Sequence, residues 1–260
     1  MLLAIDVGNT HIFYGLHDGR DWRATWRQHT NPAWTEDEIG AFLTTMTKRA
    51  CSSEGVDRMA VCSVVPALTD RFIQYGRRWL EIEPLFITHL TAKNLPILND
   101  PPEMVGADRI ANAVAAIELY GVPAVVVDMG TATTFDAISA KGEYLGGAIM
   151  PGVEISTGAL FHRAARLSKI SLTVPRAAIG RNTEESLRSG IVLGFAAAID
   201  GLVERICAEL GGNPTVIATG GVADTIVGAC RSIHHVDPML TLNGIRLLAE
   251  PSQTPPLPTS

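Results

Sequence analysis

Two short polar segments carry most of the chemistry this sequence offers. Asp6-Val-Gly-Asn-Thr10 follows an apolar run over residues 1–5, and Asp128-Met-Gly-Thr-Ala-Thr-Thr134 follows another over 123–127. An aspartate closing a buried strand can hold a hydrated Mg²⁺. The glycine after it lets backbone amides approach an anion, with a threonine hydroxyl alongside. A hairpin in which Asp6 and Asn9 merely satisfy their own turn is the competing reading of the first segment. The second segment carries Thr131, Thr133 and Thr134, more hydroxyls than a turn needs. A third element, Thr219-Gly220-Gly221, fits a plain strand-to-helix turn, but its paired glycines also let a flat adenine or ribose lie against the backbone. Two such elbows facing each other across a cleft suit a nucleoside triphosphate, whose charge needs donors from both sides.

Gly106-Ala107-Asp108-Arg109 opens a helix between the elbows. In one reading Asp108 answers the positive end of that helix and Arg109 is solvated. In the other, Asp108 is a general base that takes the proton of an alcohol attacking the γ-phosphorus, and Arg109 binds a substrate carboxylate. Spacing alone leaves both open. Gly180-Arg-Asn-Thr-Glu184 precedes a long helix, with Thr183 as its N-cap and a substrate contact as the alternative. Neither Gly-x-x-x-x-Gly-Lys-Ser/Thr nor a strand-following Gly-x-Gly-x-x-Gly occurs, which excludes a P-loop and leaves a dinucleotide site unsupported.

The elements that must position these groups repeat. Strand, aspartate elbow, strand and turn recur 122 residues apart, from Asp6 to Asp128, and a period of half the chain implies two copies of one fold. In the first copy, strands are predicted near 23–29, 58–64 and 85–88. Helices are predicted over 35–49, where Thr35 and Glu38 have capping-box spacing, and over 66–79. An Ala-rich helix from Ala107 to Tyr120 joins the copies. The second copy reads as a strand over 143–150, a helix to about Arg166, a helix over 184–210, a strand over 215–218, a helix to about Cys230 and a last helix over 241–249. The sum is an α/β chain with two mixed sheets and a cleft between them: lobes at 1–116 and 117–249, and a disordered tail at 250–260 rich in proline.

Composition narrows the partners. The 260 residues carry a net charge of −6, and only four of 21 basic residues are lysines, so a broad basic face for nucleic acid is not expected. No signal peptide or membrane span is visible, which points to the cytoplasm. The four cysteines lack metal-site spacing and read as buried thiols in a reducing compartment.

Taken in order, the Asp6 elbow, Gly106–Arg109, the Asp128 elbow, Gly146–Gly152, Asn182-Thr183 and Thr219–Gly221 closely resemble the type III pantothenate kinases, of the superfamily of acetate and sugar kinases and actin. The resemblance spans residues 1 to about 248. It implies two duplicated ribonuclease H-like (actin-like ATPase) domains and transfer of the ATP γ-phosphate to the 4′-hydroxyl of pantothenate, the first step of coenzyme A synthesis. It also implies ATP binding by Asp6, Val7, Gly8, Asn9, Thr10, His11, Ile12, Phe13 and Thr131. Pantothenate binding falls to Asn99, Gly106, Ala107, Asp108, Arg109 and Thr183, with Asp108 as proton acceptor. Asp128 would hold a monovalent cation, K⁺ or NH₄⁺, and Asp6 would hold Mg²⁺ through ATP; the expected assembly is a homodimer. Asn99 stands where members often carry tyrosine. Rival readings are a phosphotransferase of the same superfamily with another acceptor, and a non-catalytic nucleotide-binding accessory protein.

Overall fold

The computed structural model describes residues 1–51, 55–163 and 170–250. The end of the helix predicted to reach Arg166 and nearly all of the predicted tail lie outside them. The first half holds β1 (Leu2–Val7), β2 (His11–His17), β3 (Trp22–His29), α1 (Glu36–Ala50), β4 (Arg58–Ser63), α2 (Pro66–Tyr75) and β5 (Leu85–Phe86). After α3 (Ala107–Tyr120) come β6 (Ala124–Met129), β7 (Ala132–Ile138), β8 (Tyr144–Pro151), α4 (Val153–Arg163) and α5 (Thr183–Leu210). The chain continues through β9 (Thr215–Thr219), α6 (Ala223–Ile226), β10 (His235–Val236) and α7 (Leu240–Ala249).

The predicted duplication is visible strand by strand. One sheet runs β3-β2-β1-β4-β5 and the other β8-β7-β6-β9-β10, each with an antiparallel meander followed by parallel neighbours. The burial along β1 is matched residue for residue by β6, four buried positions, a half-buried aspartate and a buried sixth, and that along β2 is matched in the same way by β7. Both copies even shift register at the same place, between Leu16 and His17 and between Ala137 and Ile138.

Strand periodicity decides where the aspartates point. Successive side chains leave opposite faces of a strand. Leu3, Ile5 and Val7 pack outward against α1 and α2 through Ile39, Leu43, Leu68 and Phe72, which leaves Leu2, Ala4 and Asp6 on the inner face. In β6, Val125, Val127 and Met129 pack outward against α5, and Ala124, Val126 and Asp128 share the inner face. Between the sheets lie α3 and α7, so the molecule is layered as helices, sheet, helix pair, sheet and helices. Alanines at 111, 113, 115 and 116 keep α3 slim enough to fit there. α3 runs unbroken through residues 116 and 117, and α7, from the far end of the chain, packs on β1 and β4.

Thr35 and Glu38 form the predicted capping box, with Glu38 N–H donating to Thr35 Oγ1 at 3.3 Å and Thr35 N–H to Glu38 Oε2 at 2.9 Å. The predicted 66–79 helix loosens after Tyr75 into a wider π-type turn over Gly76–Leu80. The predicted helix reaching Cys230 is one α-turn followed by a 3₁₀ turn, Val227–Ala229. Of the four thiols only Cys62 is fully buried; Cys51, Cys207 and Cys230 are partly exposed, and all four are unpaired. Among the described residues no helix is long and apolar enough to cross a membrane.

Candidate active site

The two elbows touch. Thr10 Oγ1 and Thr131 Oγ1 lie 2.7 Å apart, joining the β1–β2 and β6–β7 turns across the space between the sheets. Each tip is built alike. Gly8 N–H donates to His11 O at 3.0 Å and Gly130 N–H to Ala132 O at 3.0 Å; Thr30 N–H donates to Thr10 O and Gly152 N–H to Thr131 O. Beside this contact opens a cleft of about 350 Å³. Its wall includes Asp6, Gly8, Asn9, Thr10, His11 and Phe13 from the first elbow, Asp108 from α3, and Asp128 and Thr131 from the second. Val7 and Ile12 turn their side chains into the outer core, so only their backbone can face a ligand.

Gly220 brings the third element close. Its φ of +97° is a left-handed value, and a Cβ there would stand 2.6 Å from Asp128 Oδ1 and from Met129 N. Only glycine lets this turn lie against the end of β6.

Asp6, Asp108 and Asp128 share the cleft, and burial raises all three. Asp6 is pushed well above the usual carboxylate range, first by burial, then by the charges of Asp108 and Asp128. Asp128 rises to about 7 through burial and the nearby Asp108, against a lowering hydrogen bond from Asn112. Asp108 is raised by burial, with the Arg109 backbone N–H and the Arg109 charge opposing. A site that strains to ionise its carboxylates favours arriving cations. Hard oxygen donors suit Mg²⁺ and K⁺. Mg²⁺ usually takes one or two carboxylates and completes its shell with water and phosphate oxygens. The donor set fits that habit, and among the described residues no three His, Cys, Asp or Glu side chains form an all-protein cage.

Arg109 turns away from the cleft wall toward β7 and β8. Its Nε donates to Asp136 Oδ1 at 2.6 Å and its guanidinium lies 5.7 Å above the Tyr144 ring. The Tyr144 hydroxyl donates to the same Asp136 oxygen at 2.8 Å. Asp136 is fully buried, and burial lifts it to about 6 in spite of the opposing arginine and tyrosine. Arg109 is therefore neither solvated nor free: one edge is committed to a protein carboxylate. The loop carrying Asn99 runs beside this group, with Leu98 N–H donating to Tyr144 O and Tyr144 N–H to Pro96 O, each at 2.8 Å. Asn99 itself donates to Pro101 O at 3.1 Å. Gly106 is the N-cap of α3, and Ala107 packs into the inner core.

Thr183 is not the cap of α5. Asn182 takes that place, its side-chain oxygen accepting Glu185 N–H at 2.9 Å, because asparagine outranks threonine as an N-cap. Thr183 opens the helix at the rim of a shallow apolar depression with Leu160, Leu187 and Ile191, apart from the cleft.

A family model described as type III pantothenate kinase matches residues 2–205. The chain belongs to the type III pantothenate kinase family. It is 49% identical over 259 residues to the type III pantothenate kinase of Streptomyces avermitilis, covering 96% of this chain and 98% of that one. It is 43% identical to that of Gluconobacter oxydans, covering 99% and 96%. Among solved structures it superposes on a Baf family transcriptional activator from Campylobacter jejuni (TM-score 0.60, 19% identity, 95% and 96% covered). It also superposes on (R)-2-hydroxyglutaryl-CoA dehydratase component A from Acidaminococcus fermentans (TM-score 0.56, 15% identity, 95% of each covered). At those identities the likeness is one of fold, the actin-like ATPase fold.

Several residues at this pantothenate kinase-family site are not evident from the motifs. Asn112 lies one turn beyond Asp108 on α3, donates to Asp128 Oδ2 at 3.0 Å and accepts from Thr241 Oγ1 at 2.8 Å. The i, i+4 spacing from Asp108 was its only signal, hidden in an alanine-rich run. Asp136 and Tyr144 read as ordinary strand residues. Their partnership with Arg109 joins separate elements and leaves no local pattern.

Proposed function

We propose that this protein is a pantothenate kinase that transfers the γ-phosphate of ATP to the 4′-hydroxyl of pantothenate, the first step of coenzyme A synthesis. The observation that carries this reading is the contact between the duplicated elbows at Thr10 and Thr131, with Asp108 on the wall of the cleft beside it. Family membership supplies the acceptor.

The amides and hydroxyls around Gly8–Phe13 and Thr131 bind the triphosphate, and the turn at Gly220-Gly221 borders the nucleoside. Asp108 accepts the proton of the 4′-hydroxyl as that oxygen attacks the γ-phosphorus and ADP departs. Burial strengthens it as a base compared with an exposed aspartate. Gly106, Ala107, Asn99 and Arg109 surround pantothenate, and Arg109 offers its uncommitted edge to the substrate carboxylate. Asp136 and Tyr144 hold that guanidinium in place. Asp6 is the residue for Mg²⁺ carried in with ATP, and Asp128, oriented by Asn112, for K⁺ or NH₄⁺; bound there, these ions neutralise phosphate charge. Thr183, remote from the cleft within one chain, joins the site in a homodimer, where the apolar depression beside it meets a second copy. The lobes divide at 1–116 and 117–249, and the enzyme works in the cytoplasm.

The test is an acceptor panel with Mg·ATP and K⁺: pantothenate, simple alcohols, sugars and polyphosphate. Selective phosphorylation of pantothenate at its 4′-hydroxyl is expected. Turnover of another acceptor with none on pantothenate, or nucleotide binding without turnover, would overturn the assignment.

A further inference from the structure

The two copies of the fold differ in the row of residues that crosses each sheet from its elbow aspartate. Across the first sheet Asp6 pairs with Phe13 and Phe13 with Arg27, a row whose side chains leave the same face. Across the second, Asp128 pairs with Thr134 and Thr134 with Ile149. The 122-residue offset that carries Asp6 to Asp128 carries Arg27 to Ile149. The aspartate is common to both rows, and the guanidinium belongs to one.

Arg27 is the only lysine or arginine on the cleft wall among the described residues, in company with Asp6, Asp108, Asp128 and Glu154. It nevertheless joins none of the ion pairs formed among those residues. Its guanidinium lies over the Phe13 ring, 5.1 Å from the centroid and within cation–π reach, so Phe13 helps to hold it at the cleft. Nη1 stands 3.7 Å from where a Cβ on Gly221 would be, so the side chain reaches from β3 to the turn after β9 in the other lobe. His11 is also on the wall, but burial, His29 and Arg27 push it toward neutrality, so it adds little positive charge.

We infer that Arg27 is the side-chain cation that binds the nucleotide polyphosphate, bridging from the first lobe to the glycine turn of the second. A planar guanidinium meets two phosphate oxygens at once. The inference rests on the ATP reading above and adds to it a residue outside the elbows.

Calorimetric titration of the full chain with Mg·ATP, Mg·ADP and adenosine tests it, on wild type, Arg27→Gln, Arg27→Lys and the charge control Arg20→Gln. Arg27→Gln should raise Kd for ATP and ADP roughly 10- to 100-fold and leave adenosine unchanged. Arg27→Lys should recover part of the loss, and Arg20→Gln should match wild type. In turnover, KM for ATP should rise while KM for pantothenate stays fixed. Unchanged ATP affinity in Arg27→Gln, or equal losses for ATP and adenosine, would overturn the role of Arg27. A wild type that binds no nucleotide would overturn the ATP reading and Arg27 with it.

Discussion

Asp136 shows how a single buried carboxylate can matter without touching substrate. It is fully buried, and one of its oxygens takes both the Arg109 Nε–H and the Tyr144 hydroxyl. Removing one partner from a buried ion pair typically costs about 3–5 kcal/mol, because the other charge is left uncompensated. Arg109 is itself only 14% exposed, so water cannot replace the lost partner fully. Asp136→Asn is therefore expected to loosen the hold on the Arg109 guanidinium and to raise KM for pantothenate far more than KM for ATP. Equal KM values in mutant and wild type, measured by steady-state kinetics, would show that Arg109 needs no such anchor. None of this was legible in the sequence. Asp108 and Arg109 stand out as adjacent charges at a helix start, whereas Asp136 sits 27 residues from its arginine, inside what reads as a strand.

The elements explain why the elbows themselves were legible. An unbroken apolar run ends at each aspartate and a turn glycine follows it, so strand and polarity change come from local pattern, whereas the face each aspartate takes is set by the side of the sheet that the outer helices cover. The α5 cap was less readable, because Asn182 and Thr183 are both good caps and only the hydrogen bond to Glu185 distinguishes them. β10, two residues long, carries too little periodicity to predict. Packing of α7 on α3 was invisible, since it depends on a distant pairing. Gly244 makes that contact possible: a methyl group there would overlap the backbone carbonyl of Ala111. Alanine gains about 1 kcal/mol over glycine in helix propensity, but backbone cannot move aside as a side-chain tip can. Overpacking should win, and Gly244→Ala is expected to lose about 1–3 kcal/mol in urea denaturation. An unchanged midpoint would mean that α7 is not held tightly between the sheets.

At the scale of the molecule, duplication places two aspartates in one cleft of a chain with net charge −6. Asp128 at about 7 and Asp136 at about 6 keep protons that unfolded aspartates give up near pH 4. Between those limits the folded state binds more protons than the unfolded one, so the free energy of unfolding falls as pH rises through that window. Ligand-free protein should melt lower at pH 8 than at pH 6. Asp128→Asn should flatten the slope and raise Tm at pH 8 by roughly 3 °C or more. A wild-type Tm that climbs from pH 6 to pH 8 would count against buried, strained carboxylates. ATP and its cations would relieve the same strain, which ties stability to the proposed chemistry. That chemistry turns on Asp108 as the proton acceptor in phosphoryl transfer to pantothenate. The most direct measurement compares wild type with Asp108→Asn in two respects, the rate of pantothenate phosphorylation at saturating substrates and the affinity for Mg·ATP. The expected result is a turnover rate lowered by roughly 10²–10⁴-fold with nucleotide affinity nearly unchanged; a variant that turns over at a near-normal rate would contradict it.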